Sequence, residues 1–190
     1  MKRNPKVCHY LDLPIQHASD RILKRMNRRT RKEELKEKIA LLRKEMPIIT
    51  GFPGETEEDF QEVLDFISEM RFDRLGAFPY SQEEGTKAAE MEDQIPEKLK
   101  NQRLSQIMEL QQNIAFRKAE EQIGRKLKVL VCGYDEEEQR VLCRSYMDAP
   151  DVDSYLYVFG EKKEVGSFLY AKVIDTEGYD LIGEWCESAE

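Results

Sequence analysis

No apolar run in this chain comes near the roughly 18 residues that a membrane-crossing helix needs. The opening Met1-Lys2-Arg3-Asn4-Pro5 leads into no hydrophobic signal segment either. The expectation is a globular protein that is neither secreted nor in contact with a membrane. The four cysteines, Cys8, Cys132, Cys143 and Cys186, lie far apart, which excludes a dense disulfide framework and any local CxxC pair for zinc or an iron–sulfur cluster. A reducing cytoplasm suits them. There is no internal repeat and no low-complexity segment. An excess of positive charge is also missing: the net charge is −8. Residues 1–126 hold 24 Lys and Arg against 23 Asp and Glu, whereas residues 127–190 hold 6 against 15, a net of −9. A nucleic-acid-binding domain shows the opposite sign, because neutralising phosphates drives such binding. The acidic third is therefore either a solvated face or a surface for a partner other than nucleic acid.

What is present is enough for one large domain or two small ones: 190 residues, 40% of them hydrophobic and 36% charged. Before Lys126 short β-like runs alternate with helical periodicity. Val7 to Ile15 reads as a strand, with Ser19-Asp20 at a helix cap ahead of Ile22, Leu23 and Met26. Thr30-Arg31-Lys32-Glu33 has capping-box spacing, and Leu35, Ile39, Leu42 and Met46 then recur at helical intervals until Pro47. Ile48-Ile49-Thr50 is a buried strand. Thr56 caps the next helix, with Phe60, Val63, Leu64, Ile67 and Met70 on its apolar face, and Phe72 to Tyr80 is the third strand. Pro96 opens a long helix that turns Leu99, Ile107, Leu110 and Ile114 inward and is capped by Gly124.

This alternation predicts an α/β layer or a portion of a (β/α) barrel, where chemistry gathers at the C-terminal ends of the strands. Three strands are too few to close such a barrel. After Gly124 the pattern changes to five short strands, Leu127–Cys132, Arg140–Tyr146, Val152–Phe159, Phe168–Asp175 and Tyr179–Trp185, separated by turn residues. That is the count of a small OB-like β-barrel. The domains expected are residues 1–124 and 125–190.

The sharpest local motif is Gly51-Phe52-Pro53-Gly54-Glu55, joining a strand to a capped helix. Two glycines allow close backbone approach to a ligand, and free N–H groups at the helix start can meet a carboxylate or an adenine edge. A tight turn without a ligand fits the same residues. Leu13 to Ser19 places polar groups, Gln16 and His17 among them, at a strand end. Asn27-Arg28-Arg29 adds positive charge suited to a substrate carboxylate or to solvent.

Four stretches in order, Tyr10 to Ser19, Met26 to Thr30, Gly51 to Glu57 and Tyr80 to Thr86, resemble the second half of a radical S-adenosylmethionine (radical SAM) methylthiotransferase. The tail, through Arg144 to Asp153 and Tyr179 to Gly183, is similar to the TRAM domain of the RimO branch. Gln16-His17-Ala18-Ser19 separates that branch from the tRNA-modifying MiaB type, which carries Gln-Ser-Gly-Ser there.

The resemblance implies an α/β fold: an incomplete radical SAM (β/α) barrel followed by the five-stranded TRAM barrel. It implies methylthiolation of the β-carbon of an aspartate in the twelfth small-subunit ribosomal protein, a basic partner that the −9 tail suits independently. The alternatives are tRNA methylthiolation, which the acidic tail disfavours, and a non-enzymatic acidic binding module. The family's cofactors are S-adenosylmethionine and two [4Fe–4S] clusters, one of them held by a CxxxCxxC loop that splits the cofactor to a 5′-deoxyadenosyl radical. Neither set of cluster cysteines is in this chain, and the usual Arg-Thr pair before Gly51 is missing as well. The chain is therefore expected to be an inactive C-terminal portion. By the same resemblance Gly51, Phe52, Pro53, Gly54 and Glu55 line the adenosyl side of the cofactor pocket, with Gln16 and Arg28 as further polar contacts. Asp148, Asp151 and Asp153 are expected to hold the basic substrate; no catalytic residue or metal ligand is expected.

Overall fold

The computed structural model describes residues 15–42, 46–150 and 152–187, with the side chains of 38–42 and 46 outside that description. Most of the first expected strand, with Cys8, and also Asp151 lie outside the described residues. The chain forms two compact units, and the break falls between Ala115 and Phe116.

In the first unit α1 (Asp20–Arg25) follows Ser19, whose backbone is extended as an N-cap requires, but the Ser19 hydroxyl does not cap the helix. It donates instead to Asp59 Oδ1 at 2.6 Å. Helix α2 (Lys32–Leu42) also departs from the capping-box expectation. It starts later than Thr30: the Leu35 N–H bonds to the Arg31 carbonyl, and the Lys32 N–H donates to Asp20 Oδ1 at 2.6 Å. A carboxylate brought in from α1 satisfies the orphan donor, so local spacing misplaces the start.

Strand β1 (Met46–Thr50) pairs in parallel with β2 (Leu75–Pro79), in register from Met46 opposite Leu75 to Thr50 opposite Pro79. On the other side of β1 the Gln16 N–H donates to the Pro47 carbonyl at 3.1 Å and the Ile49 N–H to the Gln16 carbonyl at 2.7 Å. Pro47 thus sits inside the strand because the sheet uses its carbonyl. Helix α3 (Glu57–Met70) between the strands begins with the full capping box of Thr56 and Asp59. It buries Phe60, Val63, Phe66 and Ile67 against Ile48, Phe72 and Leu75.

Helix α4 (Glu97–Glu120) packs on the same core through Ile107 and Ile114. Its buried stripe is Lys100, Arg103, Ile107, Gln111 and Ile114, at steps of three and four residues. Leu99 and Leu110, expected inside, are only half-buried, because three polar residues share the inward face. Gly124 does not close α4. Its φ is +86°, and its N–H donates to the Val173 carbonyl at 2.8 Å, at the entrance to the second unit.

That unit is a closed five-stranded barrel of β3 (Lys126–Asp135), β4 (Arg140–Arg144), β5 (Leu156–Phe159), β6 (Phe168–Glu177) and β7 (Asp180–Cys186). The strand order is β3-β4-β5-β7-β6, antiparallel except for the parallel pair β5–β7. Alternation places Val129, Val131, Val141, Cys143, Leu156, Val158, Ala171 and Val173 inside. The strand expected from Val152 begins only at Leu156, because side chains organise the preceding loop: Ser145 donates to Asp148 and the Ala149 N–H to Asp153. Closure removes the free strand edges that a sheet of this size would otherwise expose.

Candidate functional site

The Gly51–Glu55 turn leaves the C-terminal end of β1, beside the end of β2, where α/β folds gather ligand contacts. Its centre is a buried carboxylate. Glu55 Oε2 accepts from the Gly51 N–H at 2.9 Å and meets His17 Nε2 at 3.0 Å. Glu55 Oε1 accepts from Arg103 Nη1 at 2.6 Å. The side chains of His17 and Glu55 are fully buried and that of Arg103 nearly so. Because His17 Nδ1 accepts the Ser19 N–H at 2.9 Å, the ring proton sits on Nε2 and points at the carboxylate. Arg103 also reaches the exposed Glu57 through Nη2 at 3.1 Å.

A second carboxylate holds the other side of the turn. Asp59 accepts from Ser19, Arg21 and Thr56. Burial alone would raise its pKa, but the Arg21 guanidinium and the hydroxyls of Ser19 and Thr56 outweigh burial and hold it well below the ordinary carboxylate range. Arg21 extends the network to the Gly54 carbonyl.

Most of the N–H groups expected to be free on this turn are taken up by the protein. Gly51 donates to Glu55, Gly54 to the Asp93 carbonyl, Glu55 to the Phe52 carbonyl and Thr56 to Asp59. The close approach that glycine permits is taken up by the protein itself. A Cβ on Gly51 would stand 2.4 Å from Lys100 Cγ, and one on Gly54 would stand 2.3 Å from Asp93 Oδ2 and 2.7 Å from Arg25 Cζ. The turn itself is largely buried, and an aromatic pair lies beside it. The ring of Phe52 meets that of Tyr80 edge-on at 5.3 Å, and the buried Tyr80 hydroxyl has no hydrogen-bond partner. A polar, ring-bearing ligand such as an adenosyl group suits that orphan hydroxyl.

Of the other expected contacts, Gln16 adopts φ +72° and pairs with Ile48, one residue before His17, so it borders the turn. Arg28 is exposed, closes α1 through its backbone N–H, and takes no part in the Glu55 network. Asp148 accepts from the Ser145 N–H and hydroxyl, and Asp153 from the Ala149 N–H, so both carboxylates organise their own loop. Sequence reading missed Lys100, Arg103 and Asp59. The signal for the first two was on α4, where charged side chains fall on the same helical stripe as Ile107 and Ile114.

The donors of the described residues do not converge to hold an iron–sulfur cluster. Among the described residues no three His, Cys, Asp or Glu side chains converge to hold a metal, and Cys132, Cys143 and Cys186 all belong to the barrel unit. Burial, with Cys132 close by, pushes the Cys143 thiol up to about 12. No described helix is long and apolar enough to cross a membrane.

The family model for the radical SAM superfamily matches residues 1–67, and that for the TRAM domain matches residues 123–186. The chain is 51% identical over 191 residues to the ribosomal protein uS12 methylthiotransferase RimO of Lachnoclostridium phytofermentans, a match that covers 96% of this chain and 43% of that protein. It is 47% identical to the RimO of Geobacter sulfurreducens and 49% identical to that of Desulfitobacterium hafniense, each match covering 97% of this chain and 43% of the relative. This chain matches the C-terminal part of a RimO-type protein. It spans less than half the length of these RimO relatives. The radical SAM match takes in the Gly51–Glu55 turn, and the TRAM match takes in the closed barrel.

Proposed function

We propose that this chain serves methylthiolation of an aspartate β-carbon in ribosomal protein uS12, as part of a radical SAM methylthiotransferase. The similarity to relatives named for that activity, at 47–51% identity over nearly the whole chain, carries the reading. In it the Gly51–Glu55 turn, with Gln16 beside it, lines the adenosyl side of the S-adenosylmethionine pocket, and Phe52 and Tyr80 supply ring surface. Arg28 adds positive charge at the periphery. The barrel docks the basic substrate, and Asp148, Asp151 and Asp153 contribute to its negative field. The 6 basic against 15 acidic residues after Lys126 support a protein partner over a phosphate backbone. The chain holds no CxxxCxxC loop. The reaction therefore requires a polypeptide that supplies the cluster ligands, and this chain alone is inactive.

The test is to express the chain, alone and joined to the cluster-bearing N-terminal part of the Lachnoclostridium phytofermentans relative, in cells lacking their own uS12 methylthiotransferase. Intact-mass analysis of uS12 and nucleoside analysis of tRNA follow. A methylthio group on uS12 with the joined protein only is the expected result. Its appearance on tRNA adenosine instead, or on uS12 with the unjoined chain, overturns the reading.

A further inference from the structure

One end of the barrel is open. A cavity of about 200 Å³ there is lined by the inner side chains Val141, Val158 and Leu169 and rimmed by Phe159, Glu161, Lys163 and Trp185. Register explains why Trp185 stands at this mouth. It pairs with Ala171, and the preceding inward position Gly183 pairs with Val173. Paired residues share a face of the sheet, and Ala171 and Val173 are fully buried, so Trp185 belongs to the inner face. Lying at the end of β7, it has no further layer above it and stays 57% exposed, as does Phe159 at 54%. Two large rings thus remain wet beside an apolar hollow, an arrangement that soluble surfaces seldom keep without a partner.

We propose that this barrel mouth is an anchoring pocket for one apolar side chain carried by a basic segment of the protein substrate. The inference rests on the proposed uS12 reading. Size favours a single side chain, since the hollow is below the roughly 300–1,000 Å³ of pockets that take drug-sized ligands. Charge selects the flanks of the segment. The barrel sequence carries 6 Lys and Arg against 15 Asp and Glu, so Lys and Arg beside the anchor are drawn toward it and a phosphate backbone is repelled. The barrel is closed, so an incoming strand finds no free edge to pair with, and side-chain insertion is the available mode of recognition. An aromatic rim around an apolar hollow is also where interface energy concentrates.

Trp185 is the only tryptophan in the chain, so its emission reports on the mouth directly. The experiment titrates the full chain with a dye-labelled tryptophan-free uS12, and separately with a labelled RNA oligonucleotide. Trp185 emission is read alongside the anisotropy of the label. The expected result is uS12 binding with a blue shift of Trp185 emission, weakened at least about tenfold by Phe159→Ala and by Trp185→Ala. Phe159 is more than half exposed, so its truncation leaves the barrel core in place, and circular dichroism checks the fold of each variant. Binding of uS12 with unchanged Trp185 emission and no loss in either variant overturns the anchoring pocket while leaving the uS12 reading standing. Absence of uS12 binding by both readouts overturns the two together. A Trp185 shift with RNA and none with uS12 overturns the pocket's assignment to a protein segment.

Discussion

Arg103 Nη1 lies 2.6 Å from Glu55 Oε1, across 48 positions of sequence, and both side chains are at most 4% exposed. This pair ties α4 to the turn that follows β1. It leaves the Arg103 Nε buried and without a hydrogen-bond partner. The fork is therefore spent on Glu55 and Glu57, and its purpose is to hold the turn rather than to complete its own bonding.

Replacing Arg103 by Met leaves Glu55 as an uncompensated buried charge and should cost about 3–5 kcal/mol. Urea unfolding monitored by circular dichroism measures it. Arg103→Lys should recover only part of the loss, because a point charge cannot bridge two carboxylates as the planar fork does. If Arg103→Met with Glu55→Gln is as unstable as Arg103→Met alone, the coupling between the two is absent.

Asp59 makes the stability of the first unit acid-sensitive. Its carboxyl stays ionised in the folded protein well below the pH at which the unfolded chain takes up the proton. The unfolded state thus binds more protons in that window, so the stabilisation is fully present above about pH 4 and is lost as pH falls below it. The urea midpoint of the wild type should drop between about pH 4 and pH 2. Asp59→Asn should be less stable at neutral pH and show a shallower acid limb. Parallel acid limbs in the two proteins would remove Asp59 from this role.

Gly51 and Gly85 share nearly the same φ, +76° and +77°, but not the same surroundings. A Cβ at Gly51 runs into Lys100, whereas one at Gly85 meets nothing within 4 Å. Gly85→Ala should therefore cost only backbone strain, about 1–2 kcal/mol. Gly51→Ala should add a further ~1–3 kcal/mol from overpacking. Equal thermal shifts for the two variants would show that Lys100 yields without resistance.

The barrel cysteines should differ in reactivity. Cys143 is fully buried, with its thiol raised to about 12, while Cys132 and Cys186 are half-buried. Alkylation of the native chain followed by peptide mapping should label Cys132 and Cys186 and spare Cys143 until denaturant is added. Early labelling of Cys143 would mean that the barrel opens readily.

Much of the architecture follows from the sequence by itself. Thr56 and Asp59 are three residues apart, so the capping box starting α3 is a local matter. The five barrel strands announce themselves because one face is buried and the other wet, which imposes alternation on short runs between turn residues. The Gly51–Glu55 turn was legible too, as two glycines between a strand and a cap. Tertiary structure decided what those residues do. Whether an N–H on the turn is free depends on carboxylates and carbonyls at Glu55, Asp59 and Asp93, and whether a glycine faces a ligand depends on Lys100 and Arg25, far along the chain. The same holds for the half-exposed Trp185: alternation puts it on the inner face, but only the closed barrel determines that β7 ends there with nothing above it. Periodicity records which way a side chain points. Which distant group it meets is set by packing between segments that no local pattern encodes.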